Sequence, residues 1–352
     1  MKISANTYNI HIEKNALSMS GVYAAEALGR TCRVVIVSDD NVYPLYGERL
    51  EQSLRDSGFD VAPEFVIPHG EASKSMKSLE ALLEHAAYNG LTRTDALFAL
   101  GGGVVGDLAG FASAVYLRGI RYVQVPTSVL ASVDSSVGGK TAVDLASGKN
   151  QAGAFHEPSL VICDTATLDT LTPLYFSDGM AEVIKYGFIG DAELLHLLDT
   201  YDVRHERMDE VIAMCVRDKL NVVSRDLYDN GIRQCLNLGH TIGHAVEALS
   251  DYTVPHGHAV ALGMTAITRA AVRRGICGEE TLSLLVALLE KYGLPTEIQS
   301  DYTAERLFEA TLHDKKRRGG TITLVLPQRN GSSELVEYPT DELLSIIKDG
   351  LR

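Results

Sequence analysis

Four groups of residues in this 352-residue sequence have types and spacings that could do chemistry. The first joins a carboxylate to imidazoles. Glu182 lies in SDGMAEVIKYG, where Ser177 can cap a helix. His240 and His244 stand four apart in NLGHTIGHAVE, on one face of a helix, with Glu247 three further on; His256 follows in VPHGHAV. Neutral imidazoles plus a carboxylate make a divalent-metal set, most naturally for zinc with one position open. Spacing alone selects His240 and His244 as the ligand pair. Any one of these histidines is also explained as a hydrogen-bonded core or surface residue, and Lys185 as a simple i,i+3 partner of Glu182.

The second group is a glycine run. Gly101, Gly103 and Gly106 fit G-x-G-x-x-G between a strand and a helix. Without β-carbons the backbone can approach a pyrophosphate, and a helix N-terminus supplies N–H donors. The run follows the third strand rather than the first, so it is not the usual dinucleotide fingerprint. A turn packing helix on sheet would leave the same trace. Asp39, ending the first strand, suits a ribose-hydroxyl acceptor or a turn before Asn41.

The third is DSSVGGKTAVDLASGKN (134–150). Asp134, small residues and Lys140 fall close together, and Lys149 and Asn150 follow. Small residues admit a ligand and lysine supplies a compact cation for phosphate. A Walker A motif would need glycine at Asp134, so the segment is either a ligand loop of another kind or an exposed polar loop. The fourth group is cationic: Arg118, Lys219, Arg233 and HDKKRRGG (313–320), the last also readable as a solvated loop. Arg233 precedes Asn237 by four residues and His240 by seven. One helical stripe would hold Arg233, Asn237, His240 and His244 if the helix extended back that far.

The elements that must position these groups change character along the chain. Up to about residue 172, β-branched runs at 32–40, 62–68, 94–102, 122–128 and 159–164 alternate with helical patterns at 46–58, 73–90 and after Gly103. That alternation predicts a Rossmann-like α/β domain with a parallel sheet over 1–172. Beyond it, helical patterns dominate at 177–199, 206–226, 234–250, 257–274, 278–292 and 303–313, with a strand pair at 321–327 and 333–339 and a last short helix at 340–349. A mostly α-helical second domain over 173–352 follows.

Lys and Arg total 32 against 46 Asp and Glu, a net charge of −14. Such a chain repels phosphate backbones, which argues against nucleic acid. The longest stretch without Asp, Glu, Lys or Arg, 252–268, contains Pro255, His256 and His258 and makes a poor membrane span. The N-terminus has no apolar run of a signal peptide. Cys32, Cys163, Cys215, Cys235 and Cys277 are scattered without a CxxC pair, as expected of reduced thiols in a cytoplasmic protein.

Together the motifs resemble 3-dehydroquinate synthase, of the sugar-phosphate cyclase superfamily. The resemblance rests on PHGEASK (68–74), GGGVVGDLAGF (101–111), YLRG (116–119), VPTSVLASVDSSVGGKTAVD (125–144), GKNQAGAFHEP (148–158), GMAEVIKYG (179–187), LNLGHTIGHAVEA (236–248), HGHAVALGM (256–264) and DKK (314–316). It implies an NAD-binding first domain and a metal- and substrate-binding second one. The substrate would be 3-deoxy-D-arabino-heptulosonate 7-phosphate, converted to 3-dehydroquinate and phosphate through transient oxidation by NAD, phosphate elimination, re-reduction and intramolecular aldol closure. The implied NAD residues are Asp39, Asn41, Glu71, Lys74, Gly103, Val104, Val105, Gly106, Asp107, Thr127, Ser128, Lys140, Lys149, Thr167, Leu168, Asp169 and Thr170. The implied ligands of one zinc or cobalt ion are Glu182, His240 and His256, which moves His244 to the substrate side. Asp134, Lys140, Asn150, Lys185 and His244 would be catalytic. Arg118, Lys219, Arg233, Asn237 and one or both of Lys315 and Lys316 would bind substrate, Arg118 reaching a neighbouring subunit's site in a homodimer.

Two departures from the resemblance stand out. Asp229 replaces a usual Glu, and His258 replaces the Glu of HGE beside His256, so altered hydrogen bonding behind an unchanged ligand set is expected. Rival readings are another sugar-phosphate cyclase, such as a 2-deoxy-scyllo-inosose synthase, a metal-dependent polyol dehydrogenase, or a catalytically dead sensor. Lys219, Arg233 and Asn237 favour a carboxylate-bearing substrate, and Gly110 stands where the polyol dehydrogenases have Lys.

Overall fold

The computed structural model describes residues 1–5, 7–312 and 320–351. Lys315 and Lys316 lie outside them. The chain divides into two compact units, Met1–Thr172 with Met208–Leu220, and Pro173–Arg207 with Asn221–Arg352. Met208–Leu220, which the sequence pattern groups with the second domain, thus belongs to the first unit.

The first unit contains β1 (Lys2–Ser4), β2 (Asn9–Glu13), α1 (Ser20–Leu28), β3 (Arg33–Asp39), α2 (Tyr43–Asp56), β4 (Asp60–Val61), β5 (Phe65–Ile67), α3 (Met76–Tyr88), β6 (Ala96–Gly101), α4 (Gly103–Val115), β7 (Arg121–Pro126), β8 (Lys140–Leu145), β9 (Gly148–Phe155) and β10 (Leu160–Asp164). The main sheet runs β1-β2-β10-β7-β6-β3-β4, with β5 also on β3. Every pairing in it is parallel except that of edge strand β1 with β2. Strand alternation explains the two layers around it. Val34 and Ile36 pack with Leu50 and Leu54 of α2, while Val35 and Val37 pack with Leu79 and Leu82 of α3 and Leu108 of α4. The chain leaves β3 toward β4 on one side and returns to β6 on the other. The crevice at the carboxyl ends of β3 and β6 is therefore a topological switch point, where open α/β sheets bind ligands.

The second unit contains α5 (Pro173–Gly190), α6 (Ala192–Thr200), α8 (His240–Leu249), α9 (His256–Arg273), α10 (Glu279–Lys291), α11 (Ala304–Thr311), the hairpin β11 (Thr321–Arg329) and β12 (Ser332–Pro339), and α12 (Leu343–Leu351). Helix α7 (Met208–Val223) carries the first unit's Met208–Leu220. Helix α9 is apolar nearly all round and buried, with α5, α8, α10 and α12 packed on it. Glycines let α8 and α9 touch: a β-carbon on Gly243 would sit 2.9 Å from the Ala259 carbonyl oxygen, and one on Gly263 would overlap that of Gly239.

Several sequence expectations change. The pattern at 177–199 forms two helices, because Asp191 breaks the chain after Gly190 and caps α6 by accepting the Leu194 N–H. The pattern at 234–250 becomes a helix only at His240. Gly239 takes φ 78°, and Ile232–Asn237 is a separate 3-10 turn, so Arg233 and Asn237 do not share the α8 stripe of His240 and His244. The segment 140–155 is a β-hairpin rather than a loop.

Candidate active site

In the second unit the carboxylate and imidazoles converge. His240 opens α8, His256 opens α9, and Glu182 lies buried on α5. Glu182 Oε1 is 3.6 Å from His240 Nε2 and 3.6 Å from His256 Nε2. His240 Nδ1 lies 3.2 Å from the Leu238 carbonyl, which can only accept, so Nδ1 carries the proton and Nε2 presents a lone pair. His256 Nδ1 faces Glu247 Oε2 at 3.3 Å, with the same consequence. Glu182 Oε2 takes the Lys185 ammonium, while Oε1 is buried with no hydrogen-bond partner. A buried anionic oxygen facing two lone pairs fits a divalent cation. Burial alone would lower the His256 pKa; the Glu182 and Glu247 carboxylates override it and lift it to about 10, so without a cation Nε2 carries a proton, and a bound metal ion would take that proton's place.

The spacing argument for His240 with His244 gives way to this geometry. The His244 ring stands edge-on to His240, centroids 5.3 Å apart, and is 6.1 Å from His256. His244, Glu247 and His256 also lie close enough to share an ion. Glu247 Oε2, however, is engaged with His256 Nδ1, so the set around Glu182 Oε1 is the better cage.

In the first unit the expected nucleotide residues gather at the carboxyl ends of β3, β6, β7 and β10. Asp39 Oδ1 accepts the N–H groups of Asn41 and Val42, so the turn role is real and only Oδ1 is used in it. Gly103 opens α4, which runs on through Val104, Val105, Gly106 and Asp107. A β-carbon at Gly106 would lie 2.7 Å from Gln124 Oε1. That glycine serves helix–sheet packing, whereas a β-carbon at Gly102 would meet nothing closer than Ser128 Oγ at 3.7 Å. The Thr127 N–H donates to the Gly101 carbonyl, and Ser128 Oγ accepts the Ala131 N–H. Lys74 is buried and pairs with Asp107 at 2.5 Å. Glu71 Oε1 is 3.9 Å from Lys74 Nζ and 4.0 Å from Lys149 Nζ. Burial pulls the Lys74 pKa down, but Asp107 and Glu71 more than offset it and hold the ammonium above its ordinary value. Thr167, Leu168, Asp169 and Thr170 form the 3-10 turn after β10, tied to α2 by Tyr46 Oη at 2.6 Å from Thr170 Oγ1.

Asp134 sits on a π-helical turn, where its carbonyl and Oδ1 both accept from Lys219 Nζ, at 2.7 and 2.9 Å. Lys140 begins β8 and is exposed. Asn150 takes φ 54° in β9, its N–H bonded to Asp144 Oδ1 at 2.7 Å. Arg118 is exposed on a one-turn 3-10 helix, with Leu117 at φ 50° and Arg118 at φ 69°. Arg233 is buried; its N–H reaches Asp226 Oδ2 and its Nη1 the Leu227 carbonyl. Asn237 Nδ2 donates to the Gln234 carbonyl. Sequence reasoning missed Asp144, Asp178 and Asp226, whose partners are mostly backbone N–H groups and leave no spacing signal.

Residues 64–178 match the family model described as 3-dehydroquinate synthase N-terminal, and 179–317 the one described as 3-dehydroquinate synthase C-terminal. The 3-dehydroquinate synthase of Clostridium acetobutylicum is 46% identical over 357 residues, spanning 99% of this chain and 98% of its own. Among solved structures, 2-deoxy-scyllo-inosose synthase complexed with carbaglucose-6-phosphate, NAD+ and Co2+ superposes with a TM-score of 0.88 at 26% identity over 100% of both chains. The 2-epi-5-epi-valiolone synthase of Streptomyces hygroscopicus subsp. jinggangensis with NAD+ and Zn2+ bound gives 0.87 at 26%, over 99% of this chain and 98% of its own.

Proposed function

This chain belongs to the 3-dehydroquinate synthase family, and from that premise we propose which of its residues carry the family's reaction. The enzyme is a carbon–oxygen lyase that turns 3-deoxy-D-arabino-heptulosonate 7-phosphate into 3-dehydroquinate and phosphate, a step of the shikimate route to aromatic amino acids. Glu182, His240 and His256 hold a zinc or cobalt ion, which supplies Lewis-acid polarisation of substrate oxygens when bound. Asp39, Glu71, Lys74, Gly103 to Asp107, Thr127 and Ser128 hold NAD, which supplies a reversible hydride acceptor.

The chain's own groups do the rest. Arg233 and Lys219 bind the substrate carboxylate, Arg233 through a planar fork steadied by Nη1 donating to the Leu227 carbonyl and Lys219 oriented by Asp134. Lys140, Asn150, Asn237 and His244, with Lys315 or Lys316, bind the phosphate that leaves. Lys185 keeps the second oxygen of Glu182 neutralised, so the other is free to face a cation. Holding one conformer of the substrate and excluding water then favours elimination and ring closure over side reactions. Arg118 serves the partner's site in a homodimer. A reducing compartment, the cytoplasm, suits five free thiols.

The observation that carries this reading is Glu182 Oε1, buried and without a hydrogen-bond partner between two imidazole nitrogens. Phosphate release from the heptulosonate phosphate tests it. Release should need NAD, stop with chelator and return with Zn2+ or Co2+. No release from the metal- and NAD-replete enzyme overturns it, and release from a substrate lacking the carboxylate points to another cyclase.

A further inference from the structure

Asp178 lies one helical turn before Glu182 on α5, on the same face. Its Oδ1 accepts the Gly257 N–H at 2.7 Å and the His258 N–H at 3.2 Å, two donors of the first turn of α9 that have no partner within that helix. The His258 side chain closes onto the same oxygen, Nδ1 at 3.3 Å. A carboxylate can only accept there, so Nδ1 carries the proton. The backbones also touch: a β-carbon on Gly257 would overlap the Asp178 carbonyl oxygen. Thus α5 presents Glu182 and, one turn earlier, grips the start of the helix whose first residue is His256. The 3.6 Å separation of Glu182 Oε1 from His256 Nε2 is set across this contact. His258 takes no part in orienting the His256 ring, because His256 Nδ1 is held by Glu247 instead.

We propose that Asp178 and His258 together are positioning residues of the metal centre, locking the first turn of α9 onto α5 so that His256 Nε2 stands close enough to Glu182 Oε1 to share one ion with it. The inference rests on the reading of Glu182, His240 and His256 as the ligands. It also gives His258 a reason: a glutamate at that position would set a second carboxylate against Asp178.

Zn2+ affinity measured by competition with a chromophoric chelator tests this, with the visible absorption of the Co2+ form as a second readout. Asp178→Ala should bind Zn2+ on the order of 10–100-fold more weakly and alter the Co2+ spectrum. Asp178→Asn, which keeps the accepting oxygen, should stay close to the parent. His258→Glu should weaken binding about tenfold or more, and Asp178→Asn combined with His258→Glu should recover most of the loss. Parent-like affinity and spectrum in folded Asp178→Ala overturn the proposal. If Asp178→Ala does not fold, the His258→Glu pair decides: an unaffected single variant, or a double variant no better than the single, overturns it. A parent that binds no metal, or binds it equally after Glu182→Ala, sinks the ligand assignment instead.

Discussion

Buried charge is where single residues speak most clearly. Lys74 is enclosed with Asp107 at 2.5 Å, so deleting the ammonium strands a carboxylate away from water. Lys74→Met should destabilise the protein by about 3–5 kcal/mol in urea denaturation, whereas Lys74→Met with Asp107→Leu should recover much of that loss. Equal destabilisation by the single and double variants would show that the pair is not coupled. Cys163 makes the opposite case. Burial raises its thiol pKa to about 12, so near neutrality the reactive thiolate is almost absent. Mass spectrometry after iodoacetamide treatment at pH 8 should find Cys163 unmodified in the folded enzyme and alkylated once urea unfolds it; modification in the folded state would contradict its burial. At this scale the sequence was highly informative. Glu182, His240 and His256 are found together, although spacing alone prefers His244, because helical periodicity sees neighbours on one helix and is blind to a ligand delivered by another.

Elements carry the geometry that the proposed ligands need. His240 and His256 open two different helices, and α8 and α9 come close only because Gly239, Gly243 and Gly263 line their contact. Gly263→Ala would drive a methyl group into the Gly239 carbonyl oxygen and should cost about 1–3 kcal/mol while weakening Zn2+ binding. Gly190→Ala, at the open end of α5 with nothing within 4 Å, is the control and should leave both unchanged. Parent-like metal affinity in Gly263→Ala would mean that the helix contact does not set the ligand spacing. The strands and helices of the main sheet were legible from β-branched runs and 3.6-residue patterns. The short strands β1, β2 and β4, helix α1 and the hairpin β8–β9 were not. The hairpin's residues are selected by small size and by contact with α4, where a β-carbon on Gly110 would run into Thr141, and not by a clean polar–apolar alternation.

At the scale of the whole molecule, a chain of net charge −14 nevertheless buries several of its cations. Among the described residues, the buried Lys and Arg side chains are Lys74, Lys185, Lys219 and Arg233, each a residue to which the resemblance would assign a binding or catalytic role. Burying a cation is costly unless it is paired, and these meet Asp107, Glu182, Asp134 and the Leu227 carbonyl respectively. Lys140 and Arg118, which the resemblance also implicates, are exposed. Arg118 stands beside Leu117 on an exposed corner where both residues take left-handed φ, a conformation L-residues hold at some cost. Exposure and strain make sense if the corner is shaped for a second copy of the chain. Mixing two inactive variants, Arg118→Ala and Glu182→Ala, and letting subunits exchange should then restore activity. In a mixed dimer the site with intact Glu182 receives Arg118 from its neighbour, so about a quarter of all sites should work after random reassociation of equal amounts. If Arg118 served its own subunit, every site in every dimer would lack one group or the other, and the mixture would stay as inactive as its parts.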